Sequence, residues 1–309
     1  MARDIEGQPS RSEPLYGLGV DIGGTKIMML IANQDGEVVY KKKVNTSEHF
    51  EAISEQIKEC LRDAAVSLDQ VAAIGFGVPG ITNSEDGTVI EAPALNWKHV
   101  PFRDEMQRYF NKPVFVDNDV NCAALGERWV GSAKDTSDFI VVAIGTGVGS
   151  AIMANGSLVK GSNHMAGEVA YLVVEQDEVG REDNVFGQFG MFEKKISGMA
   201  LAQHGDSPHS LFEQYVRGDE ESVTIIHRFV ADLSMGIANM VSLLNPQKVI
   251  LCGGVSQSLF PVLELIRSKV ASLTPIPTTI ELTVIGEEAG AVGAVALAFE
   301  QIGILTKGR

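Results

Sequence analysis

The residues best placed to do chemistry are Asp117-Asn118-Asp119, which end the apolar run Pro113-Val114-Phe115-Val116 and precede the helix-favouring stretch from Val120 to Glu127. A β-rich run that stops at a polar cluster and continues as a helix places those side chains at a strand's carboxyl end. Ligands of α/β proteins bind there. Asn and Asp also cap helices where no chemistry occurs, so the position by itself leaves both roles open. What weighs toward a site is its company, since glycine-rich turns with phosphate-binding character flank it in sequence at Asp21 to Lys26 and Gly145 to Ser150.

Asp21-Ile22-Gly23-Gly24-Thr25-Lys26 offers glycine amides, the Thr25 hydroxyl as a donor, the Lys26 charge, and Asp21 as an anchor for hydrated magnesium. Gly145-Thr146-Gly147-Val148-Gly149 has the outline of a dinucleotide fingerprint, but that motif requires a helix to start directly after it. Here apolar residues continue as a strand. A Walker A loop is missing too, because Gly-x-x-x-x-Gly-Lys-Ser/Thr does not occur. What remains is a hairpin turn whose glycines let backbone amides approach phosphate oxygens unobstructed. Either turn alone also reads as an ordinary tight hairpin. With Gly253-Gly254 closing a third strand, they point together to one nucleotide held in a cleft between two lobes.

Positioning these residues requires strands that end at them. Leu15 to Ile22, Ile27 to Ala32 and Glu37 to Tyr40 read as a three-stranded meander. Phe50, Ile53, Ile57, Leu61 and Ala64 recur at helical spacing. A buried strand over Val71 to Val78 stops at Pro79-Gly80, a short hairpin strand covers Thr88 to Ile90, and a helix runs from about Pro101 to Phe110 before the strand into Asp119. Phe139 to Ile144, a glycine turn, and Ser150 to Ala154 then repeat the opening pattern, which suggests two related halves. Helices are expected over Gly190 to Gln203, over Ser210 to Arg217, and along a stripe of Ile226, Phe229, Leu233, Ile237, Met240 and Leu244. A strand at Lys248 to Cys252, a helix over Leu259 to Leu273, a strand over Thr279 to Ile285 and an Ala-rich helix from about Glu288 to Ile302 complete the chain.

With 309 residues, 45% hydrophobic content and 32 glycines, the composition is that of a globular protein with large cores and many tight turns. A formal net charge of −15 argues against a nucleic-acid surface. An anionic ligand must then be held locally, by amides and a few cations. Cys60, Cys122 and Cys252 have no metal or redox spacing and suit a reduced cytoplasm. The polar opening residues have no apolar core of a signal peptide and read as a short disordered tail. No apolar run reaches the roughly 18 residues of a membrane span.

In combination these segments resemble the actin-like ATPase fold, and within it the ROK family of bacterial sugar kinases and sugar-responsive repressors. The matching segments are Asp21 to Lys26, Gly77-Val78-Pro79-Gly80, Val116-Asp117-Asn118-Asp119 with Asn121, Gly145 to Gly149, Ala166-Gly167-Glu168, Gly253-Gly254-Val255-Ser256 and Gly290-Ala291-Val292-Gly293-Ala294. They run in family order from about residue 15 to 300. The resemblance implies phosphoryl transfer from magnesium-bound ATP to a sugar hydroxyl, typically the 6-hydroxyl of a hexose, with glucose the expected acceptor. Asp119 occupies the catalytic-base position and would accept the hydroxyl proton as the oxygen attacks the γ-phosphate in line. Asn118, Gly80, Glu168, Tyr171 and Glu193 fall at sugar-binding positions. Gly23, Gly24, Thr25, Lys26, Gly145, Thr146, Gly147, Gly253 and Gly254 would bind the nucleotide, and Asp21 the magnesium through water.

The chain departs from the family in one region. Members usually carry a His three residues after the Ala-Gly-Glu glutamate and a Cys-x-Cys-Gly-x-x-Gly-Cys-x-Glu zinc knuckle. Here Tyr171 stands at the His position, with Asn184, Phe186 and Met191 at the cysteine positions, while Gly187, Gly190 and Glu193 remain. No zinc site is expected from these residues. Apolar packing by Phe186, Phe189, Met191 and Phe192 is expected to hold the segment instead.

The expected architecture is a two-lobed actin-like (ribonuclease H-like) α/β fold, each lobe a mixed sheet flanked by helices. The tail spans residues 1–14, the first lobe 15–132, the second 133–289, and a final helix at about 290–309 packs back on the first. N-acetylmannosamine, fructose or a β-glucoside as acceptor, and polyphosphate as donor, remain alternatives, and a sugar-sensing protein without turnover is a further one. The few residues before the first strand are too short for a helix-turn-helix module. The expected partners are sugar and ATP, without nucleic acid or membrane, and homodimers or larger homo-oligomers are compatible with the resemblance.

Overall fold

Strands β1 (Tyr16–Ile22) and β2 (Lys26–Asn33) are apolar on both faces, so each face must be covered by other elements. The computed structural model describes residues 15–175, 183–185, 187–205 and 207–306. The expected tail at 1–14 and the packing role of Phe186 lie outside the described residues. In it β1 pairs antiparallel with β2, and β2 antiparallel with β3 (Val38–Asn45). Helix α1 (Phe50–Asp63) buries Ile53, Ile57, Cys60 and Leu61 along one face and leads to β4 (Val71–Val78), parallel to β1. The chain then leaves the sheet for a separate three-stranded sheet of β5 (Ile81–Asn83), β6 (Thr88–Ala92) and β7 (Trp97–Val100). It returns through α2 (Phe102–Phe110) to β8 (Val114–Asn118), parallel to β4. Phe102 packs edge-on against Phe76 of β4 at 5.0 Å, and both rings are fully buried. Burying side chains of this size contributes about 1.5–3 kcal/mol each.

Helix α3 (Asp119–Trp129) follows directly, and the second sheet repeats the first. Strands β9 (Phe139–Ile144), β10 (Val148–Ala154) and β11 (Ser157–Leu158) form an antiparallel meander. After α4 (Glu193–Ile196), α5 (Gly198–Ala202), α6 (Pro208–Val216) and α7 (Glu220–Leu244), β12 (Lys248–Cys252) pairs in parallel with β9. Helix α8 (Leu263–Leu273) leads to β13 (Thr279–Leu282), parallel to β12. The orders β3-β2-β1-β4-β8 and β11-β10-β9-β12-β13 are the same topology twice. The short sequence echo of the two glycine hairpins was the trace of that repeat.

Helix α9 (Ala289–Gln301) covers the first sheet, with Ala291, Val292, Val295 and Phe299 packed against Met28, Leu30 and Ala32. It also crosses α3 at backbone contact, because a Cβ on Gly293 would overlap the Cys122 carbonyl oxygen. That crossing joins the layer holding the first sheet to the helix that begins at Asp119.

Several elements differ from expectation. The helix expected over 190–203 is two short helices broken at Ser197, whose Oγ accepts from Ala200 N (3.1 Å) while the Gly198 N–H goes to Gly145 O (2.8 Å). The helix expected from Leu259 begins at Leu263, after two 3-10 turns. Strands β5 and β7 are too short to show a period in sequence. In the long stripe of α7, Ile226 through Met240 are buried but Leu244 is 40% exposed. Among the described residues no helix is long and apolar enough to cross a membrane.

Candidate active site

The register across three neighbouring strands sets the site. Asp21 of β1 lies beside Gly77 of β4, and Gly77 beside Asp117 of β8, so the carboxyl ends of these strands align. Strand β8 ends at Asn118, and Asn118, rather than Asp119, caps α3: its Oδ1 accepts from Val120 N (2.9 Å) and Asn121 N (3.1 Å). Its Nδ2 donates to Gly80 O (2.9 Å), which leaves one amide hydrogen for a ligand hydroxyl. Gly80 must be glycine, because φ is +90° and a Cβ would overlap the Glu91 carbonyl oxygen. Asp119 Oδ1 also accepts from Val120 N (2.9 Å), at the positive end of the helix, and the residue is only partly exposed.

Asp117 has a role the sequence did not assign. It is 2% exposed, and its Oδ1 accepts from Asn118 N (2.8 Å) and Asn121 Nδ2 (2.8 Å), which fixes the strand-to-helix corner. Lys160, following β11 of the second sheet, donates to Ser84 Oγ and places its Nζ 4.0 Å from Asp117 Oδ2. Burial raises the Asp117 pKa, while Asn121 and Lys160 oppose the rise.

Four carboxylates converge. A methyl group on Gly77 would lie 3.3 Å from Asp21 Oδ1 and 3.3 Å from the Asp119 Cα. Burial, then the Asp119 charge, raises Asp21 to about 8. Burial also raises Asp119, against the hydrogen bond from Val120. Glu168 is raised to about 7 by burial, then by the charges of Asp119 and Glu193. Glu193 is raised by burial, and its carboxylate is tied to backbone: Oε1 accepts from Val148 N (2.8 Å) and Oε2 from Gly190 N (3.2 Å). Tyr171 lies within range of Glu168, Glu193 and Glu91, and its hydroxyl oxygen accepts from Gly187 N (3.2 Å). Carboxylates held this way, partly desolvated and beside one another, gain from ligand hydroxyls or a cation that would satisfy them.

The second glycine turn meets this group from the other side. Gly149 packs on Val120, the residue after Asp119, and Gly147 lies against Glu193 Oε1. Beyond it a cavity of about 470 Å³ is lined by Gly145, Thr146 and Gly254 together with Met199, Pro208 and His209. Ala202, Ser207 and Ser258 line it too; these three and Met199, Pro208 and His209 were not identified from sequence, since they come from separate elements and carry no motif. Gly253, at φ +88°, turns the end of β12 against Ile144. In the first turn Gly23 N donates to Lys26 O (2.9 Å) and Thr46 Oγ1 to Gly23 O (2.7 Å), closing the hairpin. Gly24 and Thr25 are exposed at its tip, and Lys26 is exposed and donates to Asn45 Oδ1 (2.6 Å).

The zinc donors of the resembling family are not matched. Tyr171 supplies a phenol, Asn184 a carboxamide and Met191 a thioether, none of which is a thiolate or imidazole. Among the described residues no group of three or more His, Cys, Asp or Glu is arranged to hold a metal ion. Of the apolar residues expected to hold this segment, Met191 and Phe192 are buried and Phe189 is 38% exposed. The phenyl ring of Phe192 fills the space beside Gly236 of α7.

A partly desolvated carboxylate at a helix start, other carboxylates around it, and a glycine turn leading into a cavity form an arrangement suited to activating a polyol hydroxyl toward a phosphoryl group. The sequence model of the ROK family matches residues 17–301. The chain is 28% identical over 322 residues to the glucokinase of Halalkalibacterium halodurans, covering 94% of this chain and 97% of that protein. It is 30% identical over 261 residues to the xylose repressor of Caldicellulosiruptor bescii, covering 76% of this chain and 64% of that protein. Among solved structures, a ROK family glucokinase from Streptomyces griseus in complex with glucose and AMPPNP is similar with a TM-score of 0.77 and 27% identity, covering 92% of this chain and 99% of that chain. A family match over nearly the whole length, on a duplicated sheet topology shared with solved relatives, makes this chain a member of the ROK family with the actin-like ATPase fold.

Proposed function

We propose that the chain is an ATP-dependent hexose kinase, with glucose as the expected acceptor and Asp119 as general base. The observation that carries this reading is the division of labour at the β8–α3 corner. Asn118 caps the helix, so the Asp119 Oδ2 is left for a hydroxyl proton. Burial raises the pKa of Asp119, which strengthens it as a base. Glu168, Glu193, Tyr171 and the remaining Asn118 N–H supply acceptors and donors for the other hydroxyls, and orientation of this kind contributes much of the rate in phosphoryl transfer. The cavity beside Gly145, Thr146 and Gly254 would take the nucleoside, and the exposed tip at Gly24 and Thr25, with Lys26, its phosphates from the other lobe. Asp21, raised to about 8 by burial and then by the Asp119 charge, would hold hydrated magnesium, whose positive charge would offset both. Bound magnesium would neutralise charge on the ATP phosphates. Closure of the lobes would exclude water from the transfer.

The second reading is a sugar sensor without turnover, favoured by the likeness to the xylose repressor. ADP release measured with glucose, N-acetylmannosamine, fructose and a β-glucoside, with ATP or polyphosphate and with or without magnesium, separates the two. Glucose-dependent release that requires magnesium is expected, and Asp119→Asn should lower kcat by about 10²–10⁴-fold while ATP still binds. Full activity in Asp119→Asn would exclude it as the base, and sugar binding without turnover in the parent protein would favour the sensor.

A further inference from the structure

We propose that Asn184 is a positioning residue for the sugar site, a carboxamide staple that holds Tyr171 and residues 187–193 in place without a metal. The inference rests on the kinase reading for its functional consequence but on this chain's own geometry for its cause. Asn184 Nδ2 donates to Tyr171 O (2.8 Å), and Asn184 Oδ1 accepts from Met191 N (2.9 Å). One planar group therefore ties the turn Val169–Tyr171, which follows Glu168, to the residues just before α4 and Glu193. Three more hydrogen bonds extend the tie: Phe192 N to Ala170 O (3.1 Å), Gly187 N to the Tyr171 hydroxyl (3.2 Å) and Gly190 N to Glu193 Oε2 (3.2 Å). The far oxygen of Glu193 accepts from Val148 N (2.8 Å) beside the second glycine turn. Asn184 thus fixes the separation between Tyr171 and Glu193, two of the side chains proposed to face the sugar.

The carboxamide carries its donor and its acceptor on two edges of one plane, so Asn184 makes both bonds at once. It stands at the position where the resembling family has a metal-binding cysteine. Asp keeps the acceptor and loses the donor. Ala loses both.

The test uses the full chain in three forms: parent, Asn184→Ala and Asn184→Asp. In Asn184→Ala the sugar KM should rise about tenfold while the ATP KM changes by less than about twofold, and Asn184→Asp should fall between the two. Hydrogen exchange at the Met191 amide should accelerate in Asn184→Ala and stay slow in Asn184→Asp, a readout independent of activity. A zinc-selective chelator added with excess magnesium should leave the parent's sugar KM unchanged. An unchanged Met191 exchange rate and sugar KM in Asn184→Ala, or a chelator-induced rise in the parent, would overturn the staple. If the parent shows no sugar-dependent ADP release, the kinase reading fails and the exchange comparison still decides the staple; if the Ala variant does not fold, Asn184→Asp, nearly isosteric, decides it through the sugar KM, which should rise because the donor to Tyr171 O is lost, and an unchanged KM there overturns the staple.

Discussion

Replacing Glu168 by Gln removes a carboxyl that folding raises from 4.5 to about 7, chiefly by burial and then by Asp119 and Glu193. A carboxyl whose pKa is raised in the native state holds its proton more tightly there than in the unfolded chain. Native stability therefore falls as pH rises from 4.5 toward 7 and levels off above it. At about 1.36 kcal/mol per pH unit, that interval corresponds to roughly 3 kcal/mol. Water in the open cleft screens part of it, which leaves an expected cost of about 1–2 kcal/mol for the ionised side chain. Gln has nearly the same shape and never ionises. Urea unfolding of the ligand-free chain should then show Glu168→Gln more stable by about 1–2 kcal/mol at about pH 8, with the advantage shrinking as pH falls to about 5. If Glu168 contacts the sugar as proposed, sugar affinity should fall by about tenfold or more, because a charged acceptor becomes a neutral one. Equal stabilities at about pH 8, or an advantage that does not depend on pH, would refute the claim that this carboxylate is held at a cost for a ligand.

Two further substitutions probe what holds the site in place. Gly293→Ala should destabilise the fold by about 1–3 kcal/mol in thermal or chemical melts, because the added methyl overlaps the Cys122 carbonyl oxygen where α9 crosses α3; a neutral result would mean the helices can separate there without loss. Lys160→Met combined with Asp117→Asn in a double-mutant cycle should give a coupling on the order of 1 kcal/mol, since Lys160 bridges Ser84 and Asp117 from the second sheet, and additive effects would show that the bridge contributes nothing.

Much of the candidate site was legible because its signals are local. Glycine turns between apolar runs, and an Asp-Asn-Asp cluster ending a strand, depend on backbone preferences of neighbouring residues. The strands ending at Ile22, Val78, Asn118, Ile144 and Cys252 follow from the same preferences. Where expectation and structure part, a distant group intervenes. The helix expected from Gly190 to Gln203 breaks because the Gly198 amide bonds to Gly145 O, more than fifty positions earlier in the chain.

The sequence by itself determined the duplicated α/β pattern, the two hairpin turns and the residue types available for phosphate and hydroxyl contact. Tertiary structure alone decided which of those groups were left for a ligand. It gave the helix cap to Asn118 rather than Asp119, set Asp21 beside Asp119 across Gly77, and tied Glu193 to Val148 and Asn184 to both Tyr171 and Met191. It also gathered Met199, Pro208, His209 and Ser258 into one cavity. The physical reason is range: dihedral preference and apolar period act over a few residues, whereas desolvation, hydrogen-bond sharing and cavity shape arise only when distant segments pack together.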